Sequence, residues 1–148
     1  MRLGYLIIAF LLGMAAMVAM QGRAETWLVV NGLAQHLGDG SYCNNHVTKG
    51  LGIEQNDWQI GFYDNSNCQL SAYVAKSWLP IYLQFSDWRV RTGVIAAAVT
   101  GYADIPLPAF GLAASFERER WGANLIFIPP MSESSVGVLW LQGKIRWR

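Results

Sequence analysis

Trp58 to Cys68 reads Trp-Gln-Ile-Gly-Phe-Tyr-Asp-Asn-Ser-Asn-Cys, and the first half of this stretch alternates large apolar residues (Trp58, Ile60, Phe62) with small or polar ones (Gln59, Gly61). That period of two belongs to a strand with one apolar face, and it excludes a helix, whose apolar stripe repeats every three to four residues. The second half is turn chemistry. Asp64, Asn65, Ser66 and Asn67 all bond readily to their own backbone, so the strand ends in a polar loop carrying a carboxylate, a hydroxyl and, at Cys68, a thiol. Ser66 is taken as the centre of a reactive rim.

The same alternation recurs along the chain. Strands are expected at Trp27–His36, Gly50–Glu54, from Trp58 to the Ser66 loop, from Leu70 to about Pro80, and at Arg89–Val99, Ala109–Arg118, Gly122–Ile128 and Val136–Trp147. Ile81–Asp87 reads equally as a long turn or as strand extension, and Gly101–Pro108 reads as a loop. The last strand is the clearest: Leu139, Leu141, Ile145 and Trp147 alternate with Trp140, Gln142, Lys144 and Arg146.

Composition decides what such strands face. Only 14% of the 148 residues are charged, well below the roughly one quarter of an ordinary soluble domain, while 13% are aromatic and seven are tryptophan. After Met20 no apolar run is long enough for a membrane helix, which leaves an eight-stranded antiparallel transmembrane β-barrel of the outer-membrane type, each strand giving only a weak alternating signal. A lipocalin-like soluble barrel has the same strand count, but the charges here are too few to cover a solvated exterior. Charged Glu54, Arg89, Arg91, Lys144 and Arg146 sit in alternation with apolar neighbours.

The N-terminus reads as a signal peptide over residues 1–24: Met1 and Arg2, an apolar run from Leu3 to Met20, then Gly22-Arg23-Ala24. Residues 25–148 form the single barrel domain. An uncleaved anchor helix is the alternative, since the run nearly reaches spanning length. Without Arg2 and Arg23 the charges nearly balance, so no electrostatic case for nucleic acid exists. Cys43 and Cys68 both fall in the exported part and at the same end of the expected barrel, as a bridged pair or as two buried thiols. The loops after the first, third, fifth and seventh strands share that end, which gathers both cysteines, His36, His46 and Ser66. Two histidines with no acidic pair at ligand spacing give no metal site, and no cofactor is expected.

Four stretches carry a resemblance to the lipid A palmitoyltransferase (PagP-like) family of outer-membrane enzymes. Ile105-Pro-Leu-Pro108, Ser115 and Phe127-Ile-Pro129 are similar to that family's Ile-Pro-Leu-Pro…Ser…Tyr-Ile-Pro segment; Gly50-Leu-Gly-Ile resembles its Gly-Phe-Gly-Leu strand; Trp58 to Ser66 resembles its Trp…Asp-Ser strand end; and His36 falls where the family has a histidine. The family's rim of histidine, aspartate and serine implies His36, Asn65 and Ser66, with Asp64 supplying the carboxylate one position early. The resemblance implies transfer of an acyl chain from a phospholipid to lipid A by a membrane-embedded monomer in the bacterial outer membrane; the alternative is a non-catalytic barrel that binds lipid or a surface partner.

A histidine near its ordinary pKa suits general-base chemistry at neutral pH, and a hydroxyl or amide suits a nucleophile or an oxyanion donor, so His36, Ser66 and Asn65 are the candidates, with His46 in reserve. Prolines cannot donate to a sheet ladder, so Pro106, Pro108 and Pro129 either merely end strands or leave the sixth and seventh strands poorly joined, opening a seam for a lipid tail. If Leu51, Ile60 and Val94 face lipid, then Gly52, Gly61 and Gly93 face inward and leave an acyl-sized slot.

Overall fold

The computed structural model describes residues 25–38, 42–43, 46–131 and 136–147. The signal-peptide reading of residues 1–24 lies outside them. Eight strands form one closed antiparallel barrel in simple sequence order: β1 (Thr26–Leu37), β2 (Val47–Gln55), β3 (Trp58–Asp64), β4 (Leu70–Phe85), β5 (Trp88–Val99), β6 (Leu107–Arg118), β7 (Trp121–Ile128) and β8 (Gly137–Trp147). Closure comes from β1 pairing with β8, from Thr26 opposite Trp147 to Leu37 opposite Gly137. The chain is all-β, with no helix among the described residues.

The tight turns lie at one end. Asn56 and Asp57 both have positive φ (51° and 63°), the two-residue hairpin geometry that suits the strand twist. Ser86-Asp87 and Glu119-Arg120 turn at the same end, and the longer connections lie at the other, here called the loop end.

Three expected boundaries move. β2 begins at Val47, earlier than Gly50. β4 runs through the ambiguous segment to Phe85, because Ile81–Phe85 pairs with Trp88–Thr92 of β5 once a bulge between Trp78 and Ile81 absorbs Pro80. Gly93 makes that bulge possible: a Cβ there would collide with the Trp78 carbonyl oxygen. β6 begins at Leu107, so Pro108 stands inside a strand, opposite Ala98 of β5.

Parity sorts the side chains. Leu51, Val74, Val94, Leu112, Leu139 and Leu141 are exposed on the outer wall. Four tryptophans ring its turn end, each at a strand terminus and each exposed: Trp58, Trp88, Trp121 and Trp147. Inward-facing residues are buried or half-buried whether apolar or polar, and Lys144, Gln142 and Val29 are among the most deeply buried.

Candidate functional site

Successive inward residues of a strand step along the barrel axis, so β8, which descends from the loop end, samples the whole lumen. Its inward residues are Val138, Trp140, Gln142, Lys144 and Arg146. The first two line a cavity of about 670 Å³ and the last three join a polar network. The same change runs along β6, from Ala109 through Ala113 and Ser115 to Glu117, and along β5 in reverse, from Arg89 and Arg91 to Ile95, Ala97 and Val99.

The polar network is centred on the Lys144 ammonium. It donates to Glu54 Oε1 at 2.7 Å, Glu117 Oε1 at 2.7 Å and Ser115 Oγ at 2.8 Å, and lies 4.8 Å from the centre of the Trp27 ring. The Glu54 carboxylate also accepts from Gln59 at 2.8 Å and Asn124 at 2.7 Å, while Glu117 is bridged by Arg89 at 2.8 Å and Arg91 at 3.1 Å. Arg91 reaches Asp57 at 2.7 Å, and Glu25 receives Arg89 at 2.7 Å and Arg146 at 3.2 Å. Four cations thus meet four carboxylates. A charge out of water is tolerable only when paired and hydrogen-bonded on its remaining sides; the Lys144 ammonium, with three acceptors, meets that condition, while Arg91 and Arg146 are paired but leave a buried Nε without an acceptor among the described residues.

Between network and cavity lies an aromatic layer. Tyr63 and Trp140 have ring centres 5.0 Å apart, Tyr73 and Trp140 5.6 Å, and Tyr63 and Tyr73 5.9 Å; Trp140 donates its indole N–H to Thr48 Oγ1 at 3.0 Å. Here the expectation of a glycine-lined slot is corrected. The space over Gly52 and Gly61 is filled by the Tyr73 ring, and that over Gly93 by the β4 bulge. The cavity is made instead by short side chains: Ala34, Ala75, Ala97 and Ala109 line it, with Ile95, Val99, Ile126 and Ile128.

His36 and Ser66, far apart in sequence, both stand on the wall of this cavity. His36 is half-buried near the end of β1 and stacks on Tyr42, ring centres 3.9 Å apart and planes 18° apart. Ser66 is 6% exposed. The other rim candidates are placed differently. Asn65 is fully buried and its amide organises the turn: Oδ1 accepts from the N–H of Asn67 at 2.9 Å and of Gln69 at 3.0 Å, and Nδ2 donates to Ser71 Oγ at 2.9 Å and the Gly101 carbonyl at 3.1 Å. Asp64 ends β3 on the outward parity and is not on the cavity wall. His46 is exposed, and its carbonyl accepts from Ala34 N–H at 3.1 Å. Cys43 and Cys68 form a disulfide that joins the first loop to the Ser66 turn.

The prolines border a gap in the sheet. Pairing of β6 with β7 runs from Arg118 opposite Trp121 only as far as Leu112 opposite Phe127. Beyond it Leu107–Gly111 pairs with β5 alone among the described residues; the β7 backbone still lies against Gly111, so the open strip is Leu107–Phe110, four residues or about 13 Å at the usual rise per residue. Pro108, inside this unpaired strip, occupies the edge position that proline tolerates. Pro108 and Pro129 line the cavity and Pro106 does not; it is exposed in the preceding loop. Leu107, Phe110 and Met131 join them at the gap, so the apolar cavity and the open strip adjoin.

The sequence reading missed three parts of this interior: the charge network, the aromatic layer and Tyr42. The first left a signal in the parity of its charged residues, and the third in the presence of a tyrosine in the polar loop before Gly50, to which the sequence alone assigns no role. No protein-family model matches the chain, and no curated protein matches it.

Proposed function

We propose that the protein is a bacterial outer-membrane barrel that draws an acyl chain of a phospholipid into the loop-end cavity and transfers it to lipid A, as in the palmitoyltransferase family its sequence resembles. One observation carries this reading: an apolar cavity of about 670 Å³, within the ~300–1,000 Å³ range of small-molecule sites, has His36 and Ser66 on its wall and an unpaired strip of β6 at its side. The apolar outer wall and the ring of Trp58, Trp88, Trp121 and Trp147 support membrane placement, since aromatic residues collect at the bilayer interface. Cleavage of residues 1–24 as a signal and action as a monomer belong to the same proposal.

The chemistry follows from the placement. A chain lying among Ala97, Ala109 and Ile126 brings its ester carbonyl up to the rim. His36 takes the proton of the acceptor hydroxyl as that oxygen attacks the carbonyl, and Ser66 donates to the developing oxyanion; collapse breaks the ester bond, and His36 returns the proton to the departing lysophospholipid oxygen. The apolar wall keeps water from competing as acceptor.

A second reading is favoured by two observations: no carboxylate lines the cavity among the described residues, and the Asn65 amide is committed to its turn. In that reading the barrel holds an acyl chain or a surface partner without transferring anything. Mass spectrometry of lipid A from cells with and without the protein separates the two. Transfer predicts an added acyl chain that disappears in His36→Ala and in Ser66→Ala; an unchanged profile with the barrel correctly inserted leaves the holding role.

A further inference from the structure

His36 is the next-to-last residue of β1, beyond the point where pairing with β2 ends at Leu33 opposite Val47. The strand is held there by β8 alone, with Val138 opposite His36. Among the described residues, the ring that packs on the imidazole is that of Tyr42 in the first loop, which lies flat against it and also borders the cavity. Tyr42 belongs to the connection between β1 and β2, outside any strand, so its place against His36 depends on what ties it to the barrel.

The tie is on the neighbouring residue. Cys43 is bonded to Cys68, 25 positions on. Cys68 sits two residues after Ser66 in the turn that Asn65 pins, and Asn65 is anchored in turn to Ser71 and Gly101 on the barrel wall. A continuous path therefore runs from the wall through Asn65, Cys68 and Cys43 to Tyr42 and ends on His36. The bond also fixes the loop bearing Tyr42 relative to Ser66, the other polar residue proposed to act at the cavity.

We propose that Tyr42 is a positioning residue for His36, and that the Cys43–Cys68 disulfide holds it in place, so that the loop-end site is assembled only in the bridged chain. The functional consequence rests on the reading of this cavity as an acyl-transfer site; the clamp itself rests on the contacts just described. Asn65 acquires a role in the same scheme as the anchor of the clamp.

The chain has only two histidines, and His46 is exposed, which provides an internal reference. Purified protein in detergent micelles is treated with diethyl pyrocarbonate, and modification at each histidine is followed by peptide mass spectrometry. In the intact protein His36 is expected to react several-fold more slowly than His46. Tyr42→Ala and, separately, Cys43→Ser with Cys68→Ser raise the His36 rate toward that of His46, whereas Tyr42→Phe, which keeps the flat ring, leaves it unchanged. Heat-dependent gel mobility verifies that each variant remains a barrel, and Tyr42→Ala carries the test if the cysteine variant does not fold. An unaltered His36 rate in Tyr42→Ala overturns the proposal, as does a Tyr42→Phe rate equal to that of Tyr42→Ala. Where the wild-type protein acylates lipid A, Tyr42→Ala lowers kcat by a larger factor than it raises KM for phospholipid. If the His36 rates respond as expected but lipid A is never acylated, the clamp stands and the transfer reading falls; if lipid A is acylated and the rates do not move, the clamp falls alone.

Discussion

The two halves of the lumen are filled by opposite chemistries although the same strands build both. Toward the turn end Glu54, Gln59, Ser77 and Asn124 enclose a space of about 10 Å³ beside Ser115, room for about one water, and an open charged recess of about 370 Å³ lies among Glu25, Asp57, Arg89, Arg91 and Glu117, whereas at the loop end alanines and branched aliphatic side chains line an apolar cavity of about 670 Å³. The sheet differs in the same sense: the β6–β7 ladder is continuous at the turn end and absent over Leu107–Phe110 at the loop end. Buried charges tolerate no slippage, because a one-residue shift of register would turn Lys144 or Glu117 outward. The turn end therefore fixes the cylinder, and its rigidity lets the loop end stay hollow and partly unzipped.

The comparison breaks first if the network proves dispensable. Lys144→Met removes the only cation within reach of Glu54 among the described residues, and is expected to destabilise the barrel by about 3–5 kcal/mol, the usual cost of stripping one partner from a buried ion pair. Urea titration in detergent micelles measures it, and adding Glu54→Gln should restore part of the loss because both charges are then gone. Ser115→Phe, forced into the space of about 10 Å³, should also destabilise, by the ~1–3 kcal/mol typical of overpacking. A Lys144→Met barrel as resistant to urea as the wild type would mean that the ladder alone holds the cylinder.

The next effect is smaller and local. Asn65→Ala removes the acceptor for two backbone N–H groups and the donor to Ser71 and Gly101; Asn67 and Gln69 are exposed and their N–H groups turn to water, so the cost is about 1–3 kcal/mol in all, chiefly for the buried partner at Ser71. Because the Ser66 turn lies at the loop end, the loss should appear as faster amide exchange at Asn67 and Gln69, with exchange in β5 and β8 unchanged. Global loosening would tie the rim to the cylinder more closely than the two-part description allows.

Much of this cylinder is legible in the sequence, and the parts that are not share a cause. Alternation places Leu139 and Leu141 outside and Lys144 and Arg146 inside without knowledge of any contact. It cannot say what an inward residue meets across the lumen: Gly52 and Gly61 read as empty space, and Tyr73, contributed by another strand, fills it. It also cannot distinguish an asparagine aimed at a substrate from one aimed at its own turn, which is the case of Asn65. The strand extension through Ile81–Phe85 stayed open between turn and strand because Pro80 looks like a stop, and only the approach of Gly93 on β5 makes a bulge there possible. Pairings between distant residues carry the missing information, and a one-dimensional period contains none of them.

The smallest stability effect is the most informative about function. Ala97 faces the cavity from β5, so Ala97→Phe places a ring where space already exists, and the overpacking cost expected at Ser115 should be absent. Its urea midpoint should correspond to a change within about 0.5 kcal/mol of wild type, as for a substitution that disturbs no packed neighbour. The ring nevertheless occupies volume that an acyl chain would need, so retention of a fluorescent fatty-acyl probe should fall sharply while the barrel remains as stable as before. The same ring at two inward positions then gives opposite results, loss of stability at the turn end and loss of ligand at the loop end. If Ala97→Phe instead unfolds as readily as Ser115→Phe, the loop-end cavity closes in solution, and the difference between the two halves does not extend to what they hold.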